Sequence, residues 1–322
     1  MGAFGLQTHI WNNNVKSVLL LAGFPVLLLL LMYGLSVGYV GLTQNINGIG
    51  DGLVLALDHM ARIWPFAFLG SGLWFVIAWF SYQKMIEASV GARGLTRKEA
   101  PELYNMLENL CIARGVTMPS LNIIESSGLN AFASGLSDKS YKVTVTRGLI
   151  ETLDDDEIEA VMAHELTHIM NKDVRLLIIS VIFVGIFSFF GELLFRNMFR
   201  TGVRVGGHTR SRNGDSRGGG ALILIAIAFI VVAYLLALVI RFSLSRKREF
   251  LADAGSVELT RNPDAMISAL QKISGRSDVE APNDVKQMMV ENTQPFAGVF
   301  MTHPPIDKRI EALTEFAGGS SA

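Results

Sequence analysis

Four long stretches without a charged residue place the strongest constraint on how this chain can fold. They are residues 17–50, Ile63–Gln83, Leu176–Gly191 and Gly218–Ile240. A bilayer core of about 30 Å needs roughly 20 apolar residues in a helix, so each stretch is a candidate transmembrane helix. Half of all residues are hydrophobic, which agrees with this interpretation. We therefore predict a mainly α membrane protein with four transmembrane helices, the third of which extends to Phe195 if Glu192 lies at the interface.

The first apolar stretch is too long for a removable signal peptide, and it lacks a small-residue cleavage site, so we expect it to be retained. Lys and Arg residues near the ends of the four helices indicate the orientation. With a cytoplasmic N-terminus, eleven of them lie inside and seven outside. In this orientation the Arg/Gly-rich loop 196–220 lies outside, although Lys and Arg residues are normally concentrated in cytoplasmic loops. Either the last two apolar segments form a hairpin that does not fully cross, or the loop is translocated despite its charge.

These apolar segments divide the chain into three predicted regions. Residues 1–82 hold two transmembrane helices, residues 83–175 and 241–322 together form a soluble domain, and residues 176–240 hold the third and fourth helices with their loop. Capping and alternation patterns predict mixed α+β structure in the soluble domain. The pattern predicts a helix that opens with the capping box Thr96–Glu99, strands at 121–124 and 141–146, an extended edge segment at 128–135, a helix capped by Asp154 and a helix beginning at Pro263.

The helix after Asp154 carries the pattern His164-Glu165-Leu166-Thr167-His168. At helical spacing His164 and His168 lie one turn apart on one face, where two neutral imidazoles can bind one Zn²⁺. Glu165 is offset by about 100° around the helix. It can therefore reach a water molecule instead of the metal. This arrangement is typical of metal-assisted hydrolysis, with Glu165 as the general base.

A catalytic zinc site needs a third protein ligand, and the best candidate follows the fourth apolar segment. Glu249 and Asp253 lie four residues apart on one helical face, so Glu249 could bind the metal while Asp253 accepts a hydrogen bond from a ligand imidazole. On spacing alone, a solvated helix face is an equal alternative. The apolar hairpin returns this segment to the side that bears the two histidines, which favours the ligand interpretation.

Composition excludes several other classes of protein. The single Cys111 rules out an internal disulfide and a cysteine-rich zinc finger. The net charge is −1 and no basic stripe with interleaved aromatic residues occurs, so we expect no nucleic-acid partner.

Three further motifs make the chain resemble the HtpX family of membrane-bound zinc endopeptidases, gluzincins related to the CAAX prenyl proteases. Leu129-Asn130-Ala131-Phe132-Ala133 resembles the Asn-Ala-Phe-Ala stretch of that family, and Arg248–Asp253 resembles its R-E-x-x-A-D motif, with Phe250 where Tyr is common. Thr302–Ile310 resembles its His-Pro…Arg ending. The resemblance covers Val18 to about Phe316, but the Arg/Gly-rich loop has no counterpart in the family pattern.

The resemblance implies a zincin-type protease domain that faces the cytoplasm from a bacterial-type inner membrane. It implies one Zn²⁺ per chain bound by His164, His168 and Glu249, with Glu165 as general base and Asp253 behind the ligands. It also implies misfolded or damaged membrane proteins as substrates in a stress response, with the lipid bilayer as the second partner.

Four residues remain candidates for contacts with substrate or transition state. Asn130 and Ala131 could present backbone groups to a substrate strand, or form a tight glycine-bounded turn. His303 and Arg309 could stabilise an oxyanion. The alternatives are a rigid helix entry at His303 and a carboxylate partner for Arg309.

The leading hypothesis is therefore a zinc-dependent membrane endopeptidase. The alternative is a catalytically idle membrane scaffold or adaptor stabilised by zinc, but such a protein would not need Glu165. A transporter would need charged or broken helices in mid-membrane, which the apolar segments scarcely show.

Overall fold

The computed structural model describes residues 6–44, 46, 48–179, 182, 219–242, 246–280, 288–290 and 304–319. The chain divides into two compact units. A helical unit comprises 18–79 and 180–241, and a sheet unit comprises 1–17, 80–179 and 242–322. The structure is mostly helical, with one small sheet.

The described elements run in chain order from α1 (Leu6–Thr43) and α2 (Ile49–Val90) into the sheet unit. There follow β1 (Arg93–Gly94), α3 (Pro101–Arg114), β2 (Ser120–Ile124), β3 (Ala131–Ser134), β4 (Lys142–Thr146), α4 (Arg147–Thr152) and α5 (Asp155–Met170). After these come α6 (Gly219–Phe242), α7 (Arg246–Thr260), α8 (Pro263–Ile273) and α9 (Ile306–Gly319).

Within the described part of the chain, two helices are long and apolar enough to cross a membrane, α2 over Ile49–Val90 and α1 over Ala22–Thr43. In α6 the apolar run is shorter, Gly220–Leu236. Most of the third predicted span and of the loop 196–220 lies outside the described residues. The structure therefore supports two of the four predicted transmembrane helices.

Close approach at glycines holds the helical unit together. A Cβ atom on Gly52 would lie 2.4 Å from Cδ1 of Leu222, and one on Gly34 would lie 2.9 Å from Cβ of Phe229. Small residues allow helix backbones to pack tightly where the hydrophobic effect between helices is weak. They bring α6 against α1 and α2, with Val37 and Val40 fully buried.

The sheet has the strand order β1-β2-β4-β3, with β2 and β4 parallel and the two outer pairs antiparallel. The predicted strands are confirmed, and the segment 128–135 supplies β3 at the sheet edge as expected. Phe132 packs against Val90 and Ile124, so the alternation of a strand turns Ala131 and Ala133 to the opposite face. Helix α5 packs against β3 and β4.

The helix predicted to begin after Thr96 begins instead at Pro101. Glu99 does accept hydrogen bonds from the backbone N–H and the hydroxyl of Thr96, at 2.8 and 2.6 Å. However, a residue before proline is excluded from the helical region, and Ala100 has φ −144° and ψ 70°. The capping box therefore closes a turn, and Pro101 opens α3. The predicted cap at Asp154 and the predicted start of a helix at Pro263 are confirmed, and Asn262 caps the latter.

Candidate metal centre and active site

Helix α5 carries the two histidines deep inside the sheet unit. The capping box of Asp154 and Glu157 fixes its first turn, and residues from Ile158 to Ile169 are mostly buried. One helical turn apart, His164 and His168 direct their Nε2 atoms toward the same point, 3.2 Å from each other. Their rings are nearly perpendicular.

Helix α7 brings Glu249 to this pair. It can lie close to α5 because residue 255 is glycine: a Cβ atom there would lie 2.5 Å from Cγ2 of Thr167. Next to it, the hydroxyl of Ser256 donates to the carbonyl oxygen of Ala160 at 2.6 Å. The Glu249 carboxylate consequently lies 3.5 Å from Nε2 of His168 and 3.7 Å from Nε2 of His164.

The three side chains fit a zinc ion. Zinc binds imidazole nitrogen and carboxylate oxygen at about 2.0–2.2 Å in a tetrahedron, so its ligand atoms stand about 3.3–3.5 Å apart. The two Nε2 atoms are 3.2 Å apart, Oε1 of Glu249 lies 3.5 Å from Nε2 of His168, and Oε2 lies 3.7 Å from Nε2 of His164, so these distances are close to that spacing. Burial alone would lower the pKa of His168, but the carboxylates of Glu249 and Asp173 raise it to about 10. The same negative surroundings favour a dication.

The carboxylate of Asp253 contacts His164 at the ring nitrogen that faces away from the cluster. Its Oδ1 lies 2.9 Å from Nδ1 of His164, so the opposite nitrogen, Nε2, is left to face the site. Both N–H groups of one edge of the Arg309 guanidinium donate to this carboxylate, at 2.8 and 2.6 Å. Burial would raise the pKa of Asp253, but Arg309 outweighs it and keeps that pKa below its usual range. Arg309 thus has a carboxylate partner, as the alternative interpretation expected.

Asp173 holds the second histidine in the same way, and the sequence patterns did not reveal it. Its Oδ2 lies 3.0 Å from Nδ1 of His168, and its side chain is 4% exposed. Lys172 has φ 60°, a left-handed conformation that is rare outside glycine, and this turn folds Asp173 back beneath the end of α5. Arg248, which precedes Glu249, donates to the backbone carbonyl oxygen of Asp173 at 3.3 Å. The spacing His168-x₄-Asp173 was the only sequence signal.

Glu165 lies beside the metal ligands but is not one of them. It is 2% exposed, and the backbone N–H of Ala133 acts to lower the pKa of its carboxyl. Burial, reinforced by the charge of Glu249, raises the pKa of Glu165 to about 7. A carboxylate with such a pKa can both take up and release a proton near neutral pH.

The backbone and side-chain polar groups of Asn130 form hydrogen bonds with other residues of the protein. Its backbone N–H and C=O bind Thr146, its Nδ2 donates to the carbonyl oxygen of Ser277 at 2.9 Å, and its Oδ1 accepts from the N–H of Ala131. The carbonyl oxygen of Ala131 accepts from the N–H of Val290 at 3.0 Å. These contacts anchor the segment that leads into β3, and a contact of Asn130 or Ala131 with substrate stays a prediction. His303, the remaining candidate, lies outside the described residues.

Two histidines and a glutamate at tetrahedral spacing, with a further buried glutamate beside them, define a metal-dependent hydrolase. Comparison with known proteins agrees. The model of peptidase family M48 matches residues 97–317. A protein named Protease HtpX homolog from Bacteroides fragilis (strain ATCC 25285) is 42% identical over 97% of this chain and 99% of its own length. Its namesake from Listeria monocytogenes serotype 4a (strain HCC23) is 36% identical over 96% and 99%.

The chain belongs to peptidase family M48 and is a metalloprotease. The resemblance to HtpX proteases is thereby confirmed. Among solved structures, the crystal structure of S. mikatae Ste24p aligns with 94% of this chain at 20% identity and a TM-score of 0.44. This chain spans 66% of the length of Ste24p.

Proposed function

We propose that the protein is a zinc-dependent endopeptidase of the bacterial inner membrane that cleaves misfolded or damaged membrane proteins. The observation that carries this proposal is the buried cluster of His164, His168 and Glu249, whose donor atoms have the spacing of a zinc tetrahedron, beside Glu165. The membrane-capable helices α1 and α2 support a membrane location of the protein.

When bound, the zinc ion would act as a Lewis acid that activates water and polarises the substrate carbonyl. The residues of the chain have separate tasks in the hydrolysis. Glu165 takes a proton from the attacking water, whose oxygen bonds to the carbonyl carbon of the substrate. Glu165 then returns the proton to the nitrogen of the departing amine, so that the elements of water are added across the peptide bond. Asp253 and Asp173 keep the two imidazoles in orientation and tautomer.

The substrate is proposed to bind as an extended strand along β3. Of the edge strands of the sheet, β3 is the one that adjoins α5, and an extended peptide can add to such an edge by backbone hydrogen bonds. An unfolded segment can adopt this conformation, whereas a folded helix cannot. This requirement favours damaged membrane proteins over intact ones.

Metal analysis and a cleavage assay with the Glu165→Gln variant test the chemistry. We expect one zinc ion per chain in both wild type and variant, because Glu165 is not a ligand. Cleavage of an unfolded membrane protein should be lost in the variant, while the folded form of the same substrate should resist the wild type. If Glu165→Gln cleaves as fast as wild type, the mechanism is wrong, and retained zinc with no cleavage by wild type would favour the scaffold hypothesis.

Four transmembrane helices with the sheet unit in the cytoplasm remain part of the proposal. A labelling experiment with an introduced cysteine tests the orientation. The single native cysteine should react little, because Cys111 is buried and its burial raises the pKa of the thiol to about 11. A cysteine introduced at Asp138, whose side chain is 71% exposed, should then be the main reactive thiol. A membrane-impermeant maleimide should label it in inside-out vesicles and not in intact cells, and the opposite pattern would reverse the orientation.

A further inference from the structure

Two of the apolar stretches meet the sheet unit at the same place. The second stretch ends four residues before Glu87 in α2, and the Glu87 carboxylate accepts a hydrogen bond from Nζ of Lys142 at 2.5 Å. The third stretch begins immediately after Arg175. Nζ of Lys172, three residues earlier, lies 5.4 Å from the centre of the Tyr141 ring. Because Tyr141 and Lys142 are neighbours in the chain, the two stretches leave the sheet unit close to each other.

Cationic side chains collect where these two stretches end. This inference rests on the proposed function, which takes both stretches as transmembrane helices. Their ends at the sheet unit then lie at the level of the lipid headgroups, where anionic lipids attract Lys and Arg residues. The cations of this region are Lys84, Lys139, Lys142, Lys172 and Arg175.

Only two of these five cations have a carboxylate partner in the described part of the chain. Lys142 pairs with Glu87, and Lys172 pairs with Asp138 at 3.1 Å. The other three, Lys84, Lys139 and Arg175, form no ion pair with a described residue. Lys84 and Lys139 are exposed. The region therefore offers three cations to an anion from outside the chain.

Arg175 has unused hydrogen-bonding capacity. Its side chain is half-buried, and its Nε is buried without an acceptor among the described residues. Buried donors in proteins nearly always have a partner, and a missing partner calls for an explanation such as an absent ligand. The planar guanidinium matches phosphate oxygens with paired hydrogen bonds, whereas a lysine ammonium acts as a point charge. A phosphate that carries apolar chains fits both the cations and the apolar stretch that begins at Leu176.

We propose that Arg175, together with Lys84 and Lys139, binds the phosphate group of an anionic phospholipid. Arg175 donates hydrogen bonds to the phosphate oxygens, and the two exposed lysines add electrostatic attraction. The acyl chains of the lipid lie along the apolar stretches that begin after Arg175 and end before Lys84. A zwitterionic lipid has the same phosphate but also a positive group, which the three cations repel. The site consequently selects lipids by the charge of the headgroup.

Native mass spectrometry of the zinc-loaded full-length protein in a neutral detergent tests this proposal. Phosphatidylglycerol and phosphatidylcholine with identical acyl chains are titrated separately, and the dissociation constant of the first bound lipid is measured. We expect phosphatidylglycerol to bind about tenfold or more tightly than phosphatidylcholine. Equal affinities for the two lipids would overturn the proposal. Displacement of phosphatidylglycerol by an equal concentration of inorganic phosphate would also overturn it, since the ligand would then be a free anion.

Variants assign the binding to these side chains. Arg175→Gln should weaken binding of phosphatidylglycerol about 10- to 100-fold, the contribution of hydrogen bonds to a charged group. The double variant Lys84→Gln/Lys139→Gln should weaken it about 30-fold. Arg97→Gln is the matched control, because Arg97 is 51% exposed and pairs with Glu108 away from the two stretches. It should bind the lipid within twofold of wild type.

Thermal unfolding shows whether each variant is folded. If Arg175→Gln does not fold, the double lysine variant decides, since both of its positions are exposed. Unchanged lipid binding in a folded Arg175→Gln protein, or in the folded double lysine variant, would overturn the proposal.

Zinc content and cleavage are measured on the same preparations, so that the two proposals can fail separately. A preference for phosphatidylglycerol in a protein that binds no zinc and cleaves no substrate would support the lipid site and refute the protease. Cleavage without a preference between the two lipids would support the protease and refute the lipid site.

Discussion

Replacing Asp173 with Ala tests whether the carboxylate behind His168 supports the metal site. The variant removes an acceptor 3.0 Å from Nδ1 of His168, at a position where the side chain is 4% exposed and water cannot readily take its place. Loss of such a partner lowers metal affinity about 10- to 100-fold, or about 1.4–2.7 kcal/mol. Asp173→Asn keeps a carbonyl acceptor without the charge, so we expect a smaller loss, below about tenfold.

The measurement is a competition for zinc between a chelator of known affinity and purified protein that has been stripped of metal. Asp138→Ala is the matched control, since Asp138 is an acid in the neighbouring turn that pairs with Lys172 while 71% exposed. It should bind zinc as wild type does. Thermal unfolding of the metal-free proteins shows whether each variant is folded. If folded Asp173→Ala holds zinc within twofold of wild type, the carboxylate does not support His168.

Two further predictions concern the packing of α5. Gly255→Ala would place a methyl group 2.5 Å from Cγ2 of Thr167. This variant should therefore destabilise the protein by about 1–3 kcal/mol and weaken zinc binding. Adding Thr167→Ala to the same chain should restore part of the stability and part of the zinc affinity. Glu157→Gln should lower the unfolding temperature at pH 7, because Glu157 is buried beside Lys272. Burial would raise the pKa of Glu157, but its bonds to Lys272 and Ser268 outweigh it and lower that pKa below 4.5. The stabilisation is therefore complete above about pH 4.5 and is lost as the pH falls through the lowered value, so the two proteins should converge in acid.

Local patterns predicted the elements that carry the site because the physical causes are local. The acids at Asp154 and Glu157 satisfy N–H groups within one turn, and helical periodicity places His164 and His168 on one face. Pairing these histidines with Glu249 required only that the intervening apolar segments return the chain to the same side. The spacing of Glu249 and Asp253 alone fitted a solvated helix face equally well, and it was the return of the chain that favoured one ligand and one supporting carboxylate.

The contacts that sequence patterns missed depend on backbone conformation or on distant segments. Asp173 reaches His168 only because Lys172 adopts a φ of 60°, and no residue type other than glycine signals such a turn. The bond between Val290 and Ala131 joins segments far apart in the chain, and no periodic pattern relates them. For the same reason, no sequence pattern predicted the hydrogen bond between Asn130 and the carbonyl oxygen of Ser277.

Each of the two imidazoles lies against a carboxylate, and an arginine contacts each of these two aspartates, but the two arginines differ in burial and in the atoms they bind. Arg309 is 1% exposed and forms two hydrogen bonds with Asp253, itself 2% exposed. Arg248 is 16% exposed and donates a hydrogen bond to the backbone carbonyl of Asp173, with the carboxylate 3.9 Å away. Removing one partner of a buried ion pair leaves an uncompensated charge, which typically costs about 3–5 kcal/mol, whereas loss of a single hydrogen bond to a backbone carbonyl costs about 1 kcal/mol.

We therefore expect Arg309→Met to destabilise the metal-free protein by several times as much as Arg248→Met. Metal-free protein is the right material, because bound metal would add its own affinity to the measured stability. The double variant Asp253→Asn/Arg309→Met should recover part of the loss, since it removes the charge that Arg309→Met leaves buried. Equal losses from the two arginine variants would contradict this reasoning. They would mean that the contribution of each guanidinium comes from its hydrogen bonds to backbone carbonyls, which both arginines form, and not from neutralising a buried carboxylate.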